Sequence, residues 1–235
     1  MLKIHEEPVV AERLHGSLLV LLKQIIYKLK PKKMKTRIFK TTVLLFIAAI
    51  LLSFDLPNGW HLSGSNPENY EMGIAKGEGI DGKNAATIKS KGEVSNNKFG
   101  TLMQMCSPKK YLGKQIKMTG YVRSENVEDW AGLWLRVDGA GTDEILSFDN
   151  MQNRGITGTT EWKKYEIILP VPANASRLAY GALMGGTGQI WFDNFTFEVV
   201  DNSDNPPMPE SSNRSDHSNN KETVTSEPVN LDFEQ

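Results

Sequence analysis

From Trp60 to Val200 the chain is written in short alternating segments, and this pattern limits its fold more than any other feature. Apolar and polar residues alternate with a period of two, and Gly, Pro, Asn and Asp break the segments apart. A period of two places alternate side chains on opposite faces, as a strand in a half-buried sheet requires. The segments are Ala85–Ser90, Phe99–Met105, Gln115–Arg123, Leu133–Val137, Ile145–Phe148, Tyr165–Leu169, Arg177–Met184 and Gln189–Val199. In the fourth, Leu133, Leu135 and Val137 fall on one face, and Trp134, Arg136 and Asp138 on the other. Helical periodicity is scarce. Roughly eight short strands separated by turns predict an all-β fold, a sandwich or barrel, and the jelly-roll β-sandwich is the most economical arrangement for that number.

The charge is unevenly distributed. The chain carries a net charge of −1, but residues 1–40 carry +7 and the remainder −8. A basic head on an acidic body points to membrane targeting of the head and to no nucleic acid as partner of the body. Lys28, Lys30, Lys32, Lys33, Lys35, Arg37 and Lys40 precede the apolar run Val43–Leu52, which Asp55 and the turn Pro57-Asn58-Gly59 end. That order is the order of a secretory signal. The run is short against the roughly 20 residues of a spanning helix, so residues 34–56 read as a signal peptide or a membrane anchor. In either case the body is expected outside the cell membrane, or secreted. Met34 opens a segment that would be a complete signal peptide alone, so Met1 and Met34 both stand as starts. Residues 1–33 then form a basic amphipathic leader, with Leu and Ile at roughly helical spacing. A DNA-reading helix-turn-helix would need a second helix of suitable polarity there, and none is visible. The single cysteine, Cys106, excludes an internal disulfide framework.

Three stretches carry a family resemblance. Gly82-Lys83-Asn84-Ala85-Ala86-Thr87-Ile88 is the first. Gln104, with Tyr111-Leu112-Gly113-Lys114 leading into Ile116-Lys117-Met118-Thr119-Gly120-Tyr121-Val122, is the second. The third is Thr159-Thr160-Glu161-Trp162-Lys163-Lys164-Tyr165-Glu166-Ile167, followed by Val171-Pro172 and by Gly188-Gln189-Ile190-Trp191-Phe192-Asp193-Asn194-Phe195. In order and spacing, residues 57–200 resemble family 4/9-type carbohydrate-binding modules, with a galactose-binding-like jelly roll. Gly59–Pro67 and Gly132–Asp138 are similar to modules of this type attached to some bacterial transcription regulators. The family's usual opening, Asn-Leu-x-Phe-Glu, is missing from the start of this module. It is matched instead by Asn230-Leu231-Asp232-Phe233-Glu234 at the far end of a polar stretch, 201–235, that composition marks as a disordered linker. Three readings of that ending stand: the start of a second module in a truncated array, a strand closing over the first module, or a featureless tail.

The resemblance implies a non-catalytic module whose ligand is a carbohydrate or other small molecule. Sugar sites use aromatic faces flanked by amides and charges. The candidate ligand residues are Trp134, Arg136 and Asp138, with Tyr121 or Arg123 on a neighbouring strand and Trp130 and Tyr70 rimming from loops. For Trp134, ligand face and packing stand equally, and Trp162 and Trp191 read as core or edge packing. The resemblance also implies a structural calcium held by Asp193, with Asp55 supplying the opening-strand carboxylate. Calcium takes several hard oxygen ligands, so two carboxylates leave that shell incomplete. No nucleophile elbow, His-Glu-x-x-His or P-loop is present, and no carboxylate pair is singled out for glycoside hydrolysis. Carbohydrate binding by an exported module is the expectation. The alternatives are a sensor related to the effector part of a regulator and a gene remnant without ligand.

Overall fold

The computed structural model describes residues 54–95, 97–141, 144–200 and 224–235, all within one compact unit, Ser53–Gln235. The leader 1–33, nearly all of the signal or anchor segment 34–56, and 201–223 lie outside the described residues. Among the described residues no helix is long and apolar enough to cross a membrane.

The described residues form ten strands and two short 3-10 turns. The strands are β1 (His61–Gly64), β2 (Tyr70–Ala75), β3 (Ala85–Ser90), β4 (Phe99–Cys106), β5 (Lys114–Asp138), β6 (Ile145–Asp149), β7 (Ile156–Val171), β8 (Arg177–Gly185), β9 (Gln189–Val200) and β10 (Val224–Thr225). The two segments Gln115–Arg123 and Leu133–Val137 prove to be halves of the single strand β5. Its first half pairs with β9 and β7, and its second half with β8 and β6. Between them the register to β7 shifts at Val122/Ser124, Ser124/Val127 and Val127/Ala131, and Asn126 takes a left-handed φ of 51°. Bulges of this kind bend a strand and strengthen its twist. The bend carries β5 out of one layer and into the other.

Two layers result. One runs β1-β4-β8-β5-β6 and the other β2-β3-β9-β5-β7, all neighbours antiparallel. Inward-facing Leu133, Leu135 and Val137 of β5 join Leu102, Tyr180, Ala182 and Met184 of the first layer, and Ile88, Ile190 and Phe192 of the second, in one core. The layers meet face to face where Tyr180 of β8 packs edge-on to Phe197 of β9, ring centroids 4.8 Å apart. This is a β-sandwich of the predicted all-β class, consistent with a jelly roll.

One glycine is required by close approach. A Cβ on Gly181 of β8 would collide with the Leu102 carbonyl oxygen and come within 2.9 Å of Met103 Cα on β4. Both are backbone atoms in a paired strand, so neither can turn aside. Gly181→Ala is expected to cost about 3 kcal/mol, read as a loss of denaturation midpoint. A change under about 1 kcal/mol would show that β4 and β8 can separate there.

Of the three readings of the sequence ending, closure over the first module is the one that residues 224–235 match, since they are packed on the body. β10 pairs in parallel with the end of β4. Asn230 and Phe233 take left-handed φ values of 48° and 57°, which coil the segment tightly enough to bring Phe233 inward. Phe233 is fully buried against Trp60, Phe192 and Phe195, with centroids 4.9, 5.4 and 6.3 Å away. The reason is hydrophobic. A mostly polar stretch still places one Phe where it removes its whole ring from water, worth roughly 1.5–3 kcal/mol.

Candidate binding face on the second sheet

Because β5 changes layers, the candidate ligand residues do not form one site. Trp134, Arg136 and Asp138 lie on the outward face of the first layer, and Tyr121 and Arg123 on the outward face of the second.

On the first layer the face is closed by its own side chains. Trp134 reaches across β8, where Gly181 is its register partner, and donates its indole N–H to Thr101 Oγ1 at 2.8 Å. It packs with Met103, Met105, Ala179 and Leu183, flanked by Phe99 and Trp130, and is 6% exposed. Of the two readings held for Trp134, this is packing. Trp130 lies within β5, not on a loop, and half-buries its ring over Gly132 and Gly155. Asp138 is buried and accepts hydrogen bonds from Arg136 Nε at 2.7 Å and Arg177 Nε at 2.8 Å. Its charge is thereby committed to two guanidiniums. Asp138→Ala would leave both cations without a partner, and charge-assisted bonds of this kind are worth about 1.5–3 kcal/mol each. A loss of about 2–3 kcal/mol in urea unfolding is expected, and a variant as stable as wild type would contradict it.

Tyr70 is corrected as well. It opens β2, is buried, and donates its hydroxyl to Gly186 O at 3.1 Å and Lys98 O at 3.3 Å. Burial, with Asp129 nearby, pushes its phenol up to about 12. It is a core strut beneath Gly100, where a Cβ would come within 2.5 Å of its ring.

The two carboxylates named for calcium face different partners. Asp55 is exposed and pairs with Lys76 at 3.0 Å. Asp193 is buried, accepting from Ile80 N at 3.2 Å and Asn194 N at 2.7 Å. The acidic groups acting on it are Asp81 and Glu234. Among the described residues no three His, Cys, Asp or Glu side chains converge as a metal-holding group. Burial raises the Asp193 carboxyl to about 6, against backbone hydrogen bonds that lower it. A carboxyl raised in the folded state binds a proton there that the unfolded chain has released. Its contribution therefore favours the fold most below about pH 4 and is lost as pH rises through about 6. The slope of stability against pH between those values should flatten in Asp193→Asn. An unchanged slope would place the titration elsewhere.

The second layer carries the open feature. At Arg123 the register pairs β5 with Trp191 of β9. The Arg123 guanidinium lies 3.9 Å from the Trp191 ring centroid and 5.7 Å from that of Trp162 on β7. It is also ion-paired with Glu78. Tyr121, two residues earlier on the same face, stands opposite Lys164 and Asp193. Where the β5–β7 register breaks, side chains replace missing ladder bonds. Ser124 Oγ bonds Gly158 O at 3.1 Å and shares a 3.0 Å hydrogen bond with Thr160 Oγ1, while Thr159 Oγ1 accepts from Asn126 N at 3.0 Å. The parted strands leave a groove of about 240 Å³, lined by Arg123–Asn126, Thr159–Glu161 and Trp191. It offers a guanidinium, two carboxylates, an amide and hydroxyls, with Trp191, 7% exposed and covered by Arg123, as its backing. Sites that enclose a drug-sized molecule run to roughly 300–1,000 Å³, so a ligand here would be held along part of its length.

Of the groove residues, only Arg123 is among the sequence candidates. Trp191, read from the sequence as core or edge packing, is 7% exposed and packs with Ala75, Ala85, Phe54 and Trp162, as that reading requires. Glu125 and Asn126 carry no motif signal, and Thr159–Glu161 open the third family-like stretch without being marked there as site residues. They gather only because the strand bends.

No family model matches the chain. It is 40% identical over 180 residues to a curated protein of Bacillus subtilis (strain 168) described as an HTH-type transcriptional regulator, YbfP. The match covers 75% of this chain, which spans 57% of that relative's length. Solved structures with similar shape include the CBM22-1–GH10 modules of Clostridium thermocellum xylanase 10B complexed with xylohexaose. There the TM-score is 0.46 at 14% identity, covering 66% of this chain and 28% of the other. The CBM22-1 xylan-binding domain of Paenibacillus barcinonensis Xyn10C has a TM-score of 0.44 at 16% identity, covering 62% and 89%. The enzymatically active domain of bacteriophage CBA120 tailspike protein 4 has a TM-score of 0.44 at 12% identity, covering 61% and 20%. Likenesses at this level carry no weight for ligand or mechanism.

Proposed function

We propose that the sandwich is a non-catalytic binding module that takes a carbohydrate chain in the groove between β5 and β7. The observation that carries this reading is the Arg123 guanidinium, held over the buried Trp191 ring, beside the carboxylates, amide and hydroxyls that line the groove. Sugar hydroxyls exchange hydrogen bonds with charged, amide and hydroxyl groups of this kind. The motif resemblance to carbohydrate-binding modules supports the same ligand class. Export by the 34–56 segment and attachment to the membrane belong to this proposal too. Titration with a panel of soluble oligosaccharides, followed by tryptophan emission and calorimetry, tests it. A saturable response to at least one glycan is expected, and no response to any of them contradicts the reading.

A second reading is favoured by the 40% identity to a protein described as a transcriptional regulator. In it the same sandwich is the effector-sensing part of such a regulator, and the ligand is a small molecule that is not a sugar. A saturable response to small metabolites, with none to glycans, would select it.

A further inference from the structure

We infer that residues 224–235 are a separable peptide ligand of the sandwich, seated in a built socket that recognises the pattern Asn-Leu-x-Phe. The contacts that carry this are made by the body's groups to the segment's backbone. Gln104, buried on β4, presents Oε1 to Val229 N at 2.8 Å and donates Nε2 to Val229 O at 3.0 Å. This two-point pairing imitates a strand neighbour. Tyr180 fixes the Gln104 amide by donating its hydroxyl to the same Oε1. Trp60 Nε1 donates to Asn230 O at 3.1 Å, Phe195 N to Leu231 O at 3.0 Å, and Asn84 Nδ2 to Phe233 O at 3.4 Å. Asn84 N meets the Glu234 carboxylate at 2.9 Å.

Specificity sits on few side chains. Phe233 is wholly buried, Leu231 packs partly into the core, and Asp232 is exposed. Asn230 shapes the segment itself: its amide donates to Gln235 O at 2.7 Å and accepts from Gln235 N at 3.0 Å. The segment thus arrives as a preformed turn with one anchor, and preformed shape lowers the cost of ordering on binding. β10 adds two strand-paired residues in the manner of an edge-bound peptide. The covalent link from body to segment runs through 201–223, and a covalent link raises the local concentration of a ligand.

The test uses the full chain with a protease site introduced between residues 205 and 215. After cleavage of the folded protein, the C-terminal fragment that contains 224–235 is expected to co-elute with the body at low micromolar concentration. A fluorescein-labelled peptide of the 224–235 sequence is then expected to enter the cut protein at the expense of the resident fragment. The same peptide carrying Phe233→Ala should compete at least about a hundredfold less well, which matches the loss of a fully buried Phe. One carrying Asp232→Ala should compete as the parent does. Since only the peptide is varied, folding of the body is not in question. Loss of the fragment on cleavage overturns the inference. So does a cut protein that takes up no labelled peptide over days, or one in which the Phe233→Ala peptide competes equally well.

Discussion

Phe233→Ala is expected to lower the unfolding free energy by about 3–5 kcal/mol, the range for emptying a fully buried aromatic site. The ring has no exposed surface and touches Trp60, Phe192 and Phe195, so its removal opens a cavity between groups that cannot collapse onto it. Trp60 sits at the entry to β1, and Phe192 and Phe195 lie on β9 of the other layer. The side chain therefore ties both layers to a segment that joins the body only through 201–223. A stability loss confined to the segment would leave the midpoint of the body unchanged. A loss shared by the whole sandwich would shift a single cooperative urea transition. The second outcome is expected, followed by tryptophan emission, because Trp60 reports on the same contact. Phe233→Leu keeps an apolar group in place and should cost clearly less. A Phe233→Ala midpoint within about 1 kcal/mol of wild type would mean that the socket closes without its occupant.

Arg123→Ala is expected to weaken glycan binding by about thirtyfold or more, the scale of a central interface residue. Arg123 is placed between two indoles and a carboxylate, which hold its guanidinium plane in one orientation before any ligand arrives. A donor fork fixed in advance loses little freedom on binding. Arg123→Lys keeps the charge but loses the plane and the stacking, so it should recover only part of the affinity. The far-UV spectrum of both variants should stay near wild type, and the unfolding midpoint, read alongside, separates lost stacking on Trp191 and pairing with Glu78 from lost binding. Equal affinity of Arg123→Ala and wild type would remove the groove from the account.

Much of the fold was readable because alternation is local. All eight expected segments fall in strands, and Leu133, Leu135 and Val137 face the core as their spacing requires. The first edge strands, β1 and β2, escaped because His61–Gly64 and Tyr70–Ala75 are short and interrupted by Gly, and their pairing is long-range. The continuity of β5 escaped for a similar reason. Ser124-Glu125-Asn126 is polar enough to read as a turn, yet β9 pairs with Ser124 and Glu125, and side-chain bonds to β7 carry the strand on through the left-handed Asn126. That single misreading scattered the candidate site. Tyr121 and Arg123 were placed beside Trp134, while the bend sends them to the opposite layer. The last residues show the reverse case. Asn230–Glu234 is legible as a family opening, but long-range contacts to Trp60, Asn84 and Phe195 place it on this sandwich.

The most direct test of the account compares two variants in one calorimetric titration, using whichever oligosaccharide the wild-type chain binds. Arg123→Ala alters the groove on the second layer, and Trp134→Phe alters the closed face of the first while keeping an aromatic ring there. Loss of binding in Arg123→Ala, with wild-type affinity in Trp134→Phe, is the predicted result. Binding that survives Arg123→Ala and is lost in Trp134→Phe would put the ligand on the other layer and contradict the account.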